Sequence, residues 1–522
     1  MDALESGGIR RLSGMTQHFI ERRWYRAQAA VDGVRARIEA VDLPGTAVAG
    51  CMYRAKVRVT NASRSGMWND PSQPAPRFAV CAWVTGPEGY ELESPHSYLP
   101  DAMKPGETRD VDLVVDIPRR PGRYTIAIDA VRESCYWFRD LGQQPLEIPL
   151  SVEPHSDALL ASRIPAIDVT LDVTNKCPLK CIQCRKTYFE TFEEQQDMDF
   201  TLYGKIAEQV FPYARHVSLS SAGEPLMTRN FLDAIEIARK HGVQEVSFIS
   251  SGLHLNPARA ERIVDLGVTR IEFSLDGASE EVYNKIRIGS RYDKVIKNIA
   301  YLNEVKKKKR SPFPMLRFNF VLMKSNIHEL PAFIDLAHSL GVEEVQTQHM
   351  IVFMPHLKDE ALIFDRERSN RFLSEAQARA RYHGIRFFHP PLFELEEATA
   401  APAAPLTDGK IWITEDEYSF ERKTHPVVND GMQLCTDPWR KFYIDWQGLV
   451  FPCCVWKEEP LGDLRRNSFR EIWESQRYRV LREGLTTGNL GKSCENCSAI
   501  TGGDINKPTS YFFDTEMQPP GP

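Results

Sequence analysis

Three features are missing from this 522-residue sequence, and their absence excludes several classes of protein. No apolar run approaches the ~20 residues that a membrane-spanning helix needs, and no apolar signal segment follows the first residues. Neither sign of charge is in large excess, since 65 Lys and Arg stand against 71 Asp and Glu and leave a net charge of −6. That balance gives no electrostatic reason to expect a nucleic-acid partner. We therefore expect a cytoplasmic protein without a transmembrane segment.

Cysteine, by contrast, is well represented, with 11 residues in the chain. In a long sequence without a signal peptide, cysteines indicate metal ligands before disulfides. The length predicts about three domains. The pattern along the chain predicts an N-terminal amphipathic helix, a β-rich domain, an α/β domain, a linker and a cysteine-rich domain (1–30, 31–154, 164–392, 393–430 and 431–522).

The first 154 residues predict a helix followed by strands. Aromatic and basic side chains mix in 1–30, as in an amphipathic helix that packs on its own protein or docks on a membrane surface or a partner. A peripheral membrane contact therefore stays open. Over 31–154, apolar and charged residues alternate with period two between turn signals such as Pro121-Gly122, which predicts an antiparallel β-sandwich. Cys51, Cys81 and Cys135 fall in these runs without metal spacing, and we expect them to be buried free thiols.

A cysteine triplet follows the β-rich segment from Ile164 to Val173. Its members, Cys177, Cys181 and Cys184, have the spacing C-x3-C-x2-C. A four-iron, four-sulfur (4Fe-4S) cluster normally takes four cysteines, so three leave one iron with an open position. That iron can chelate the amino and carboxylate groups of S-adenosylmethionine (SAM). A partial zinc site and a chance grouping are the alternatives.

Strand and helix patterns alternate from the triplet to residue 350. Six β-α units imply a parallel sheet curled into a partial (β/α)6 TIM-like barrel. In such barrels, ligand groups come from the carboxyl ends of the strands. The predicted strands are Ile167–Val173, His216–Ser220, Glu245–Ser250, Arg270–Leu275, Leu316–Leu322 and Glu344–His349, and the predicted helices are Thr201–Tyr213, Asn230–Lys240, Pro257–Asp265, Tyr292–Glu304 and Glu329–Leu340.

Small and polar residues close the next three strands. Gly223 permits a close backbone approach, and Glu224 offers an acceptor for an ammonium group. Ser250 and Ser274 end the third and fourth strands. Each signal alone is weak, because glycine with a small polar residue ends many strands, and Ser250 is also explained as a strand cap.

Together, in this order and spacing, these motifs resemble the radical SAM superfamily over about residues 164–350. The resemblance implies that the triplet holds a 4Fe-4S cluster that binds SAM, and that Glu224 accepts the SAM amino group. Ala222 replaces the first glycine of the family's Gly-Gly-Glu motif. Ser250 and Ser274 match positions near SAM. Arg287 matches an arginine of relatives with extra clusters, which pairs with the methionyl carboxylate or braces a loop.

Four further cysteines follow the linker: Cys435, Cys453, Cys494 and Cys497. A predicted β-hairpin turning near Gly448 brings the first two together, and the C-x2-C pair completes a set of four. Such a set closes a 4Fe-4S cluster, and it also suits structural zinc. With the upstream motif, it resembles the short "twitch" form of the SPASM extension of radical SAM enzymes, which implies one auxiliary 4Fe-4S cluster. Cys454 is a spare thiol, an alternative ligand or a catalytic thiol.

The β-rich domain resembles the Ig-like accessory sandwiches of polysaccharide-export and glycosyltransferase proteins, through pieces such as Val59-Thr60-Asn61, Lys104-Pro105-Gly106-Glu107, Pro121-Gly122-Arg123-Tyr124 and Tyr136-Trp137-Phe138. That resemblance implies a saccharide or glycolipid neighbourhood. Its aromatic residues are equally explained as core or edge residues of the sandwich.

The two resemblances together imply an oxidoreductase-type radical SAM enzyme served by a flavodoxin- or ferredoxin-type electron donor. Its expected reaction is oxidation, dehydration or epimerisation of a sugar, cyclitol or glycolipid, after hydrogen abstraction by a 5′-deoxyadenosyl radical. A peptide- or protein-modifying maturase is the alternative, and a non-enzymatic, zinc-stapled carbohydrate-binding protein is a more remote one. The sequence identifies no catalytic acid or base.

Overall fold

The chain forms two compact units in the computed structural model, one up to Ala166 together with residues 310–312, and one from Ile167 onward. The predicted helix over 1–30 lies outside the described residues except at Ala29, as does most of the predicted linker. The structure describes residue 29 and residues 33–64, 66–68, 78–86, 91–99, 102–132, 135–189, 194–219, 223–395, 435–454, 456, 458–495 and 497.

The first unit contains twelve strands, one α-helix and a short 3-10 helix (Phe138–Leu141) among its described residues. Strands β1, β3 and β9 form one antiparallel sheet, and the order of the larger sheet is β2-β12-β10-β5-β6, with β11 on β10 and β7 on β5. Strands β4 and β8 pair separately. The elements are β1 (Ala36–Asp42), β2 (Thr46–Val48), β3 (Met52–Asn61), β4 (Met67–Trp68), β5 (Phe78–Thr85), β6 (Glu91–Glu93), β7 (Ser97–Tyr98), β8 (Ala102–Met103), β9 (Thr108–Asp116), β10 (Gly122–Arg132), β11 (Tyr136–Trp137), β12 (Leu146–Glu153) and α1 (Asp157–Ser162).

The period-two pattern explains the pairing of β3 with β9. Val57 is buried opposite Val111, whereas the neighbouring pair, Arg58 and Asp110, points outward and forms an ion pair with Nε and Oδ1 2.8 Å apart. Strand β5 of the larger sheet contacts β9 of the smaller one, so the two sheets bury apolar side chains between them.

One feature of the first unit differs from the prediction. Strand β12 pairs with β2 in parallel, through Ser151 and Thr46, so the larger sheet is not wholly antiparallel. This pairing joins strands about a hundred residues apart, and period-two alternation does not encode strand direction. The expectation of buried thiols is confirmed, since Cys51, Cys81 and Cys135 are buried and none of them belongs to a disulfide in the described part of the chain. The Ig-like classification stays a prediction.

The second unit is built on a ten-stranded sheet with the order β21-β20-β19-β17-β16-β15-β13-β22-β23-β24, and β14 pairs with β18 beside it. The order does not close on itself, which confirms the partial barrel. The strands are β13 (Ile167–Leu171), β14 (Lys180–Cys181), β15 (Ala214–Ser218), β16 (Glu245–Ser250), β17 (Arg270–Ser274), β18 (Arg287–Ile288), β19 (Met315–Leu322), β20 (Glu344–His349), β21 (Arg386–Phe388), β22 (Lys441–Ile444), β23 (Leu449–Phe451) and β24 (Gly462–Asp463).

Helices connect the parallel strands of this sheet. Their starts follow ordinary capping rules: the Asn256 side chain accepts a hydrogen bond from the Arg259 amide at 2.9 Å, with Pro257 at the first helical position. The helices are α2 (Arg185–Phe189), α3 (Phe200–Val210), α4 (Phe231–Lys240), α5 (Pro257–Asp265), α6 (Glu280–Ile286), α7 (Tyr292–Lys309), α8 (Leu330–Ser339), α9 (Arg366–His383), α10 (Asp437–Arg440), α11 (Phe469–Trp473), α12 (Gln476–Thr487) and α13 (Lys492–Glu495). Among the described residues, no helix has the length and apolar character needed to cross a membrane.

The six predicted barrel strands correspond to β13, β15, β16, β17, β19 and β20, which pair in parallel in chain order. One face of these strands is buried and the other is mostly half-buried, as in β13, where Ile167, Val169 and Leu171 are buried and the two residues between them are partly exposed. The predicted hairpin is also present, with β22 and β23 antiparallel and Gly448 in its turn at φ +84°. Two additions to the sheet were not predicted: β21 extends it beyond β20, and β22 pairs in parallel with β13.

A buried arginine connects three of the C-terminal helices. Arg482 is 1% exposed, and its guanidinium donates to the carbonyls of Pro438 and Trp473 at 3.1 and 2.9 Å. The same group lies 4.0 Å from the centre of the Trp473 ring. Its hydrogen bonds and its cation–π contact therefore tie α10, α11 and α12 together.

Replacing Arg482 should destabilise the protein. In Arg482→Leu both carbonyls lose their donor inside the core, and we expect the free energy of unfolding to fall by about 3 kcal/mol. Anaerobic urea unfolding followed by circular dichroism would measure it. Arg466→Leu is the control, because the Arg466 side chain in the same region is 82% exposed. Equal losses of unfolding free energy in the two variants would contradict a stabilising role of the buried Arg482.

Candidate cofactor site

The cysteine triplet lies in the loop that leaves β13. Cys181 is buried in β14, which pairs with β18 through Cys181 and Arg287, while Cys177 and Cys184 are half-buried. The loop is held by its own backbone, since the Cys184 amide donates to the Cys181 carbonyl at 3.1 Å and the Thr187 hydroxyl donates to the same oxygen at 2.9 Å. Helix α2 begins directly after Cys184.

The three thiols influence one another electrostatically. Burial raises the pKa of Cys181 to about 12; Arg287 opposes this rise, and Asp276 and the other two thiols add to it. Burial also raises the pKa of Cys177, and Glu224 and Cys184 contribute to that increase. The thiols therefore lie close enough to share one site, and any metal bound there has to displace their protons.

The size of the site distinguishes a cluster from a single ion. Sulfur atoms around one tetrahedral zinc lie roughly 3.8 Å apart. Among the described residues, the one group of three or more His, Cys, Asp or Glu ligand atoms that all lie within 4.8 Å of each other is Cys81, Glu93 and His96. The triplet is therefore more widely spaced than a single-ion site, and an all-thiol set of this kind fits an iron–sulfur cluster.

The loop after β15 approaches the cysteine loop at backbone distance. The Glu224 amide donates to the Lys176 carbonyl at 2.7 Å. A Cβ atom on Gly223 would lie 2.6 Å from the Thr174 carbonyl oxygen and 2.7 Å from that of Lys176. Glycine is thus required here because backbone occupies the space of a side chain. Ser220, Ser221 and Ala222, just before it, lie outside the described residues.

The Glu224 carboxylate reaches the end of β16. It is 3% exposed and accepts hydrogen bonds from the Ser250 hydroxyl at 2.7 Å and from the Ser251 amide and hydroxyl at 2.7 and 2.6 Å. These partners are neutral, so they solvate the charge without cancelling it. The two predicted site residues Ser250 and Glu224 are thus hydrogen-bonded to each other in the structure. Ser251 was not predicted, although it stands in the same Ser250-Ser251-Gly252 run.

Arg287 lies behind the cluster loop. Its Nη2 is 2.7 Å from an oxygen of Asp276, whose side chain is fully buried, and its Nη1 is 3.8 Å from the Cys181 sulfur. Asp276 also accepts from the Val321 amide at 2.8 Å and from the Gln183 side chain. These contacts favour the loop-bracing role of Arg287. Asp276 was not predicted as a site residue, although it lies two residues after Ser274, the half-buried last residue of β17.

The four C-terminal cysteines come from three parts of the C-terminal module. Cys435 precedes α10, Cys453 follows β23, Cys494 lies in α13, and the Cys497 amide donates to the Cys494 carbonyl at 3.2 Å. Burial raises the pKa of Cys435 to about 12, with contributions from Cys453 and Cys497, and raises that of Cys494 to about 11, with a contribution from Cys497. A set of four thiols suits a closed cluster. Cys454 is exposed beside them.

The C-terminal module is joined to the barrel by direct strand pairing. β22 runs parallel to β13 from the pair Asp168–Lys441 to the pair Leu171–Ile444, and the Tyr443 hydroxyl donates to Asp172. The triplet follows the carboxyl end of β13. Cys435 and Cys453, by contrast, lie beyond the amino end of β22 and the carboxyl end of the returning β23. The chain segments that carry Cys435 and Cys453 therefore leave the sheet at the end of β13 opposite to the triplet.

Comparison with known proteins agrees with this geometry. Residues 171–337 match the family model described as Radical SAM superfamily, and residues 435–498 match SPASM, described as an iron-sulfur cluster-binding domain. The chain thus contains a radical SAM domain followed by a SPASM domain. Its cofactors are SAM with a 4Fe-4S cluster and an auxiliary 4Fe-4S cluster in the SPASM domain, as predicted.

Individual relatives are more distant. The chain is 24% identical over 351 residues to the tungsten-containing aldehyde ferredoxin oxidoreductase cofactor-modifying protein of Pyrococcus furiosus, covering 65% of this chain and 89% of that protein. It is 29% identical over 188 residues to a probable GTP 3′,8-cyclase of Methanococcus maripaludis, covering 36% of this chain and 60% of that protein. The structure of Streptococcus suis SuiB bound to S-adenosylmethionine aligns with a TM-score of 0.46 at 15% identity, over 67% of this chain and 77% of that one.

Gly223→Ala should disrupt the first cysteine site. The added methyl group has to push the two loops apart, and a displacement of about 1 Å at a reactive site costs roughly a hundredfold in rate. We expect that loss in SAM-dependent 5′-deoxyadenosine formation, measured anaerobically by liquid chromatography. Gly204→Ala is the matched control, because no atom lies within 4 Å of its Cβ position in α3. Unchanged activity of Gly223→Ala would refute the backbone contact.

Arg287→Gln should release iron from the first site, because it leaves the buried Asp276 carboxylate without its counter-charge, at a cost of about 3–5 kcal/mol. The double change Arg287→Gln with Asp276→Asn removes both charges and should restore iron retention. Iron analysis and SAM titration would measure both effects, with the exposed Arg291→Gln as control. Normal iron content together with weak SAM binding in both variants would assign Arg287 to SAM instead.

Proposed function

We propose that this protein is a radical SAM enzyme that abstracts a hydrogen atom from a sugar, cyclitol or glycolipid and oxidises, dehydrates or epimerises it, with oxidation as the main reaction. The observation that carries the proposal is the convergence of Cys177, Cys181, Cys184 and Glu224 at one edge of the sheet, with the four-cysteine module paired to the first strand of that sheet.

Different residues at this edge would bind the cluster and SAM. Cys177, Cys181 and Cys184 would hold the cluster, which when bound supplies the electron that cleaves SAM into methionine and a 5′-deoxyadenosyl radical. The Glu224 carboxylate is buried and is an acceptor suited to an ammonium group, and Ser250 and Ser251 hold it in place. Ser274, at the end of the neighbouring β17, offers a further hydroxyl to SAM.

The C-terminal module favours oxidation over a redox-neutral outcome. After losing a hydrogen atom, a substrate such as a secondary alcohol becomes a ketone by losing one proton and one electron. Cys435, Cys453, Cys494 and Cys497 would hold the acceptor of that electron. Epimerisation instead needs a hydrogen-atom donor, and the exposed Cys454 supplies a thiol for that role.

A concave surface on the first unit supports a saccharide or glycolipid. It has a volume of about 620 Å³ and combines the aromatic rings of Trp83 and Tyr124 with the charged Arg123, Arg139 and Glu147. Aromatic faces beside convergent hydrogen-bonding groups suit a polyhydroxylated ligand. Arg139 lies over the Trp83 ring at 4.4 Å, so ring and guanidinium form one polar–aromatic surface.

The names of the two curated relatives also support a small-molecule substrate, since one refers to a cofactor and the other to a nucleotide. The peptide-maturase alternative receives no comparable support from the described residues of the first unit. The radical SAM domain match also argues against the reading of the chain as a non-enzymatic zinc-stapled module.

Replacing the three cysteines of the triplet should remove one of the two clusters and leave the other in place. With both sites reconstituted we expect about eight iron atoms per chain, and about four in the triple variant Cys177→Ala, Cys181→Ala and Cys184→Ala. Production of 5′-deoxyadenosine should be abolished. Iron and sulfide analysis with anaerobic product chromatography measures both, and Cys135→Ala, a buried thiol of the first unit, is the control. A triple variant that still cleaves SAM would overturn the site.

The substrate class can be tested on the same reconstituted enzyme. Panels of free sugars, nucleotide sugars, cyclitols and short peptides are added with SAM and dithionite, and 5′-deoxyadenosine is measured above the substrate-free rate. The proposal expects a rise with a sugar or cyclitol, accompanied by a product two mass units lighter for oxidation. A rise confined to peptides would establish the maturase alternative.

A further inference from the structure

Three potential metal ligands meet on the larger sheet of the first unit, and the proposed function gives none of them a role. Cys81 lies in β5, Glu93 ends β6, and His96 stands just before β7. Their ligand atoms all lie within 4.8 Å of one another. The His96 Nε2 is 2.9 Å from the Glu93 Oε1, and the Cys81 sulfur is 3.9 Å from that same oxygen.

An irregularity in strand pairing creates this arrangement. β5 pairs with β6 through Trp83 and Glu93, and with β7 through Val80 and Ser97. Two residues separate the β5 partners, whereas three separate the partners on the other strand, so one extra residue is inserted opposite Cys81. Such a bulge redirects side chains. Here it brings His96 to the face of the thiol, where Glu93 already lies because its partner Trp83 is two residues from Cys81.

The bulge is fixed by contacts on several sides. The Ser94 amide donates to the Ala82 carbonyl at 2.8 Å, and the Ser94 hydroxyl accepts from the Asp116 amide at 2.9 Å. The His96 ring packs edge-on against Trp137, with ring centres 5.7 Å apart. The Cys81 side chain is buried, whereas the side chains of His96 and Glu93 are 25% and 56% exposed. An ion can therefore reach the thiol from solvent between them.

The donor chemistry identifies the class of ion. A thiolate, a carboxylate and a neutral imidazole carry a combined charge of −2, which one divalent cation neutralises. Sulfur, nitrogen and oxygen donors together suit zinc, and three protein ligands leave its fourth tetrahedral position to water. Ligand atoms around such an ion lie roughly 3.3–3.7 Å apart, so the His96–Glu93 separation has to open by a few tenths of an ångström.

We propose that Cys81, Glu93 and His96 bind one zinc ion, distinct from both iron–sulfur sites. Binding releases the thiol proton of Cys81, which is donated to the Ser94 carbonyl at 3.0 Å in the metal-free arrangement. The ion would link β5, β6 and β7 where the bulge interrupts their pairing. The fourth ligand of the ion, a water molecule, would lie on the solvent side, where Glu93 and His96 are partly exposed.

The test uses the full chain with both iron–sulfur clusters reconstituted. One equivalent of zinc sulfate is added, unbound metal is removed by desalting, and zinc is counted by mass spectrometry. We expect one zinc per chain, with an X-ray absorption spectrum showing one sulfur at ~2.3 Å and nitrogen or oxygen ligands at ~2.0–2.1 Å.

His96→Ala and Glu93→Gln should each weaken zinc binding by at least about a hundredfold, because each removes a direct ligand. His155→Ala, a histidine of the same unit outside the cluster, should leave it unchanged. Since Glu93 and His96 are partly exposed, both variants should fold, which circular dichroism verifies. An all-sulfur zinc spectrum, equal zinc content in all variants, or no retained zinc would each overturn the proposal.

Discussion

The cofactor site depends on one backbone contact, the hydrogen bond from the Glu224 amide to the Lys176 carbonyl. It fastens the loop after β15 to the loop that carries Cys177, and it is possible because Gly223 has no side chain to occupy the gap. An acid and three thiols are thereby placed together by a contact between two main chains. Because the contact joins two main chains, substitutions elsewhere in either loop leave it in place.

Two buried carboxylates at this edge have opposite electrostatic situations. Asp276 is paired with the guanidinium of Arg287, so its charge is already compensated within the protein. Glu224 is surrounded by the hydroxyls of Ser250 and Ser251, which stabilise the anion but leave its charge available. One carboxylate thus supports the cluster loop, and the other is suited to meet a cationic ligand. This electrostatic difference, more than closeness to the cysteine loop, distinguishes a residue that supports the loop from one suited to bind a ligand.

Much of the second unit could be predicted from sequence, because the information there is local. Runs of apolar residues gave the six barrel strands, with the bounds of β16 and β20 correct, and turn chemistry gave the hairpin at Gly448. Contacts between distant segments could not be predicted. The parallel pair β2–β12, the pairing of β22 with β13, the Asp276–Arg287 ion pair and the bulge opposite Cys81 all join residues whose local patterns carry no sign of the partner.

The pairing of β22 with β13 makes the C-terminal cysteine module part of the same sheet as the cysteine loop. On its other side β13 pairs with β15, and Glu224 lies in the loop after β15. The first strand of the barrel thus connects both cysteine-bearing segments through hydrogen-bonded backbone, in addition to the long stretch of chain between them. The sheet can therefore keep these segments in place while the loops at the strand ends vary, as in other folds that serve several functions.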